Sequence, residues 1–210
     1  YGFETGYVED RYRARSPMRA RSSKEALEMI AALPLSYEPG TRWKYSISMD
    51  VQGLIIERIT GLTLPQFMER RIFKPLKMVD TGFHVPAAKR ARFAELYEWK
   101  DGRLQPISLG AMFAATYTED PGFASGGGGL VTTACDYARF GQMLLNGGTL
   151  DGARILKPAT AKMLMTSHLS PAIVNGKFGI GIQQIRPGYE YGWNGVVATD
   201  PAPAKVAMGK

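Results

Sequence analysis

Apolar and polar positions change rhythm at Ser48. Upstream, Pro39-Gly40 is a turn signal, and Trp43 to Ser46 is too short and too mixed to form a helix or strand, so it reads as a loop. From Ser48 onward Met49, Gln52-Gly53, Ile56 and Ile59-Thr60 fall at helical spacing, Leu54 and Ile55 broaden the apolar face, and Gly61 stands where a helix ends in left-handed backbone. The pattern predicts a buried helix with Ser48 as its N-cap and Tyr45 in the loop just ahead of it.

The same reading predicts flanking helices. Ser22 or Ser23 caps a short one through Ala32, with Glu25 in its first turn, Leu27, Ile30 and Ala31 at compatible spacing, and Leu33-Pro34-Leu35 ending it. Thr63 caps another from Leu64 to Phe73; Pro65 fits its first turn, Phe67, Met68 and Ile72 form its apolar face, and Lys74-Pro75 stops it. Asp101-Gly102 predicts a hairpin joining Ala94–Trp99 to Arg103–Ile107. Leu109 to Phe123 has no clear period, contains Pro121-Gly122, and is expected to be a long surface excursion. Thr132 or Thr133 then caps a helix with a buried stripe of Tyr137, Phe140-Gly141 and Leu144-Leu145, closed by Asn146-Gly147-Gly148. After a turn at Leu150–Ala153, Pro158 opens a helix to Met165, with Met163, Leu164 and Met165 partly buried as pliable packing. Phe178 to Ile185 reads as a strand, and Tyr189 to Ala198 as its antiparallel neighbour across Pro187-Gly188. Adjacent strands suit a sheet and not a helical bundle. With no repeat or linker, residues 1–210 are expected to belong to one domain.

Composition narrows the chemistry. A hydrophobic fraction of 45% over 210 residues is ordinary for a soluble globular chain, and no apolar run reaches the length of a membrane helix. The first residues, Tyr-Gly-Phe-Glu-Thr-Gly-Tyr, lack signal-peptide architecture but begin without Met in what reads as mid-domain sequence, so cytoplasmic, periplasmic and secreted locations all stay open. Cys135 is the only cysteine, which excludes an internal disulfide and a cysteine-built metal site; His84 and His168 are isolated, so no metal or other cofactor is expected. The net charge of +7 is densest at Arg11, Arg13, Arg15, Arg19, Arg21 and Lys24. Aromatic residues do not alternate with these arginines as in a base-stacking platform, so the run reads as a solvated loop with no nucleic-acid partner.

Two stretches carry candidate chemistry. Tyr45 can be an amphipathic residue at an interface, its hydroxyl hydrogen-bonded, or a phenol aimed into a cleft for proton transfer. Ser125 to Gly129 invites a phosphate-cradle reading, but no strand precedes it, no Gly-Lys-Ser/Thr follows, and no acidic partner stands at Rossmann spacing. Close backbone approach between packed elements is the better account of its glycines.

The order and spacing of several short motifs then add to this picture. Leu33-Pro34-Leu35, Pro39-Gly40, Trp43, Tyr45-Ser46, Asp50-Val51, Gly53, Thr60-Gly61, Ile72–Met78, Asp80–Phe83, Ser125–Leu130, Asp136-Tyr137 and Leu144–Gly148 together resemble the penicillin-recognising serine hydrolases. Within them the chain is most similar to the esterases related to class C β-lactamases, the family VIII type carboxylesterases, and the resemblance covers most of its length. It implies an α/β (α+β) fold of the β-lactamase and penicillin-binding-protein type, an antiparallel sheet flanked by helices plus a helical subdomain. It also implies a Ser-x-x-Lys nucleophile pair, a tyrosine motif and a third motif on a strand.

Residue by residue, only Tyr45 carries over, as general base or as proton relay between nucleophile and leaving group; Ser46, Ser125, Gly126 and Trp193 are further cleft candidates. No lysine has a serine three positions before it, the nearest approach being Thr41-Arg42-Trp43-Lys44 in the Pro-Gly turn, and no Gly-x-Ser-x-Gly elbow occurs. Tyr191 to Gly195 resembles the family's Trp-Gly-Gly third motif, but Val196 to Pro201 resembles the strand and turn that precede it, a favoured placement that puts the motif beyond Lys210. Ile47 stands where Tyr-x-Asn enzymes carry the amide that binds a lactam's acylamino group, which favours esters. The expectation is an incomplete internal piece of a serine esterase acting on a small-molecule ester or amide, without its nucleophile segment and last strands. A non-catalytic scaffold relative, a D-aminopeptidase or D,D-peptidase, and a weak β-lactamase remain open beside it.

Overall fold

The computed structural model describes residues 6–107, 117–174, 179–180, 183–184, 187–193, 195–200 and 202. In chain order the helices are α1 (Tyr7–Arg15), α2 (Ser23–Ala31), α3 (Ser48–Thr60), α4 (Leu64–Met68), α5 (Ala134–Leu145), α6 (Pro158–Leu164) and α7 (Pro171–Val174). The strands are β1 (Leu96–Lys100), β2 (Arg103–Ile107), β3 (Thr149–Leu150), β4 (Ala153–Arg154), β5 (Gly179–Ile180), β6 (Gln183–Gln184), β7 (Tyr189–Tyr191) and β8 (Val196–Ala198). Among the described residues each strand pairs only with its sequence neighbour, antiparallel, as β1-β2, β3-β4, β5-β6 and β7-β8. The chain divides into two compact units.

One unit comprises Ala14–Leu33 and Ile47–Tyr137. Ser22 caps α2 as expected, its Oγ accepting the Glu25 N–H at 3.1 Å. Thr63 and Gln66 form a reciprocal capping box at α4. The helix does not run on regularly to Phe73: over Glu69–Phe73 it widens, and the Lys74 N–H reaches back to the Glu69 carbonyl at 2.9 Å. Ser48 is not the cap of α3. The helix begins at Ser48, and Ile47, only 7% exposed, occupies the cap position without a side-chain bond; apolar packing has displaced a capping residue there. Gly61 ends α3 at φ 68°, its N–H bonded to the Glu57 carbonyl. Asp101 and Gly102 supply the two positive-φ positions of the β1-β2 hairpin, with Trp99 opposite Leu104.

Among the described residues this unit's core includes two apolar clusters, Ala20, Ala26, Leu54 and Phe123 in one, Leu64, Phe83 and Ala124 in the other. Phe123 corrects the expected surface excursion at its C-terminal end; residues 109–116 of that stretch lie outside the described residues. A Cβ at Gly122 would fall 2.4 Å from the Arg21 carbonyl oxygen, so glycine lets the chain pass there and delivers Phe123 inward.

The other unit comprises Tyr1–Arg13, Pro34–Ser46 and Ala138–Lys210. The basic run expected as a solvated loop begins instead on helix α1, which carries Arg11, Arg13 and Arg15, and none of that helix's residues is fully buried. Helix α5, whose first residues belong to the unit already described, is capped by Thr133, its Oγ1 accepting the Asp136 N–H at 3.2 Å. Its buried residues are Asp136 and Met143, two turns apart on one face, while Tyr137 and Leu145 of the expected stripe point outward at 66% and 76% exposure. The helix closes as predicted: Gly147 N–H bonds Leu144 O and Gly148 N–H bonds Met143 O, with both glycines at positive φ. Met163 and Met165 are more exposed than expected. The last strands also differ: Gly179–Ile180 pairs with Gln183–Gln184, and Tyr189–Tyr191 pairs with Val196–Ala198. The expected single strand from Tyr189 to Ala198 is folded in two, because Gly192 N–H closes a tight turn on the Gly195 carbonyl at 2.8 Å.

Candidate active site

Tyr45 lies on a stretch, Arg42 to Tyr45, that belongs to neither helix nor strand. Aromatic rings define its surroundings. Trp43 meets Tyr191 of β7 edge-on, ring centroids 5.1 Å apart at 63°. Burial pushes the Tyr191 phenol above the ordinary tyrosine value, and Tyr45 is close enough that its own charge would push it further. Tyr45 itself is 37% exposed. Lys44 turns to α1, where its ammonium pairs with the Glu9 carboxylate; that hydrogen bond is the main cause holding the Glu9 carboxyl below its usual value. Burial raises the Tyr12 phenol on the same helix.

Trp193 stands in the β7-β8 turn, half exposed, its ring 5.3 Å from that of His168. His168 Nε2 lies 2.8 Å from the Met163 carbonyl, which can only accept, so Nε2 carries the proton. Gly192 is required for close approach: a Cβ there would fall 2.7 Å from the Leu164 carbonyl oxygen. Tyr45, Ser46 and Trp193 therefore share one unit, whereas Ser125 and Gly126 belong to the other.

Ser125 and Gly126 serve a different end. Asp50, in the first turn of α3, is fully buried, and its Oδ1 accepts from Ser125 Oγ at 2.6 Å and Gly127 N–H at 3.2 Å. Gly126 passes so near α3 that a Cβ would sit 2.4 Å from the Met49 carbonyl oxygen. The glycine loop is thus clasped to the helix start by one carboxylate, which accounts for its glycines without a phosphate. Asp136 does similar work on α5, accepting from Asp80 N–H at 2.7 Å and Thr81 Oγ1 at 2.9 Å. Asp80 in turn is paired with Arg92 and Lys89, which hold its carboxyl at about 2. Sequence reading passed over both buried aspartates as chemistry; their signal was an acidic residue in the first turn of an otherwise apolar helix.

A cavity of about 700 Å³ lies in this second unit, walled by residues including Phe73, Phe83, Val85, Phe93 and Val131. None of Tyr45, Ser46, Ser125, Gly126 or Trp193 lines it. The Asp80, Lys89 and Arg92 side chains at its edge bond one another, so it presents no unpaired charge among them. Among the described residues no group of His, Cys, Asp and Glu could hold a metal ion, and no helix is long and apolar enough to cross a membrane.

Comparison with known proteins decides the family: the β-lactamase family profile matches residues 3–206. The chain belongs to the β-lactamase family. Protein Rv1367c of Mycobacterium tuberculosis is 35% identical over 215 aligned residues, covering 100% of this chain and 51% of that protein. Esterase EstB of Burkholderia gladioli is 31% identical over 196, covering 86% of this chain and 45% of its own. Among solved structures, EstCE1, described as a hydrolase with promiscuous acyltransferase activity, superposes with a TM-score of 0.71 at 26% identity, over 90% of this chain and 49% of that one. This β-lactamase-family chain spans about half the length of the curated relatives it matches. Its fold is the α/β, penicillin-binding-protein-like fold, and its relatives include esterases.

Proposed function

We propose that the complete protein is a serine esterase acting on short-chain carboxylic esters through an acyl-enzyme, with Tyr45 as general base or proton relay. The observation that carries this reading is the setting of Tyr45: a partly exposed phenol outside regular structure, beside the Trp43-Tyr191 pair and just ahead of α3. The nucleophilic serine is taken to lie outside these residues, since none here precedes a lysine at the required spacing. In the first step the serine oxygen attacks the ester carbonyl carbon while its proton passes toward Tyr45. As the C–O bond breaks, that proton leaves with the alcohol; water then attacks the acyl-serine and releases the acid. The name of Esterase EstB and the hydrolase title of EstCE1 support the class, and Ile47, in place of a lactam-binding amide, supports esters over lactams.

The test is hydrolysis of a short-chain nitrophenyl ester by the complete protein. Tyr45→Phe should lower kcat by about 100-fold or more, the range of a lost proton-transfer group, with the fold intact by circular dichroism. Full turnover in that variant overturns the assignment. Faster cleavage of a D-Ala-D-Ala peptide than of the ester moves the reading to a peptidase.

A further inference from the structure

We infer that Glu9 is a positioning residue for Tyr45, acting through Lys44; this rests on the reading of Tyr45 as the proton-transfer group. Arg42 to Tyr45 lies outside helix and strand, so no regular ladder orients the phenol. The two residues just before Tyr45 each have a side-chain partner that bears on where the phenol sits. Trp43 provides one anchor in its edge-on contact with Tyr191. Lys44 provides the other. A lysine usually keeps its ammonium in water at the end of a flexible stem, yet the Lys44 side chain is only 20% exposed and that of its partner Glu9 only 15%. A charge drawn in that far is stabilised only with a counter-charge in place, so the carboxylate fixes where Lys44 sits.

No side chain of α1 is buried, and the adjacent Asp10 bonds Arg13 within the helix. Glu9 instead reaches a residue 35 positions away. The residue before Tyr45 is thereby tied to α1 while the residue before that is tied to β7. A reacting group displaced by about 1 Å loses rate out of proportion to binding, so loosening one tie should appear in turnover.

The experiment compares Glu9→Gln, Lys44→Glu and the swapped pair Glu9→Lys/Lys44→Glu in the complete protein, against a short-chain nitrophenyl ester. Glu9→Gln should lower kcat about tenfold with KM within about twofold, and should raise amide hydrogen exchange across residues 42–46. The swapped pair should recover most of the turnover lost in Lys44→Glu. Unchanged kcat in Glu9→Gln, a rise in KM alone, or a swapped pair no better than the single change overturns the inference. A kcat loss matched by an equal loss in the urea midpoint also overturns it, since the role would then be structural. Tyr45→Phe is run alongside: full turnover there breaks the esterase assignment itself, while the exchange of residues 42–46 still reports whether Glu9 holds the segment.

Discussion

Asp50 and Tyr45 lie on either side of the start of α3 and are held in opposite ways. Asp50 is fully buried, with the Ser125 hydroxyl and the Gly127 N–H on one carboxylate oxygen. Tyr45 is partly exposed, and its surroundings are an aromatic edge contact and a half-screened ion pair. The first arrangement has little freedom, because a buried carboxylate that loses a donor, or a donor that loses the carboxylate, is left without water to replace it. The second leaves the phenol accessible at the cost of rigidity. In this chain a fully buried, hydrogen-bonded aspartate builds the frame, and the residue proposed for chemistry is partly exposed.

Substitutions at the two places can break that contrast. The largest effect is expected for Asp50→Ala, which removes the buried acceptor of the half-buried Ser125 hydroxyl and Gly127 N–H and should cost about 3 kcal/mol in urea unfolding. A loss within 1 kcal/mol would mean that the loop is held by packing alone. Gly126→Ala should cost about 2 kcal/mol, since its Cβ must displace the Met49 carbonyl from 2.4 Å.

Acid gives the smallest and most discriminating effect. The Asp80 carboxyl is held at about 2 by Arg92 and Lys89, against an ordinary 3.8. Its folded value is depressed, so its stabilisation is complete above about pH 4 and is lost as pH falls toward 2. The Glu9 carboxyl is also lowered, chiefly by Lys44, so its contribution likewise disappears below its ordinary value of 4.5. Thermal melts of Asp80→Asn and Glu9→Gln against the unaltered protein should therefore differ at neutral pH and converge in acid. A gap that widens in acid would reverse the sign and exclude these pairs as its source.

Much of the frame was legible before any coordinates. Ser22, Thr63 and Thr133 cap helices by bonds three residues long, and Gly61, Asp101-Gly102 and Gly147-Gly148 sit at positive φ, which residues other than Gly, Asn and Asp rarely adopt. Where reading failed, packing had overruled local preference. Ile47 took the cap position from Ser48, Tyr137 and Leu145 turned outward, and the Gly192 turn folded one expected strand into two. Tyr45 is proposed from its motif and not from its spacing, because a lone tyrosine in a loop has no periodic signature.

The sequence alone determined the turns, the caps and most helix boundaries, along with the likeness that the family match then made definite, because those signals lie within a few residues of one another. Tertiary structure alone decided that Asp50 clasps a loop 75 residues away, that Asp136 secures Asp80 from 56 residues away, and that Glu9 meets the lysine beside Tyr45. The physical reason is that such bonds depend on side-chain direction after burial, and burial is settled only when the whole chain has packed.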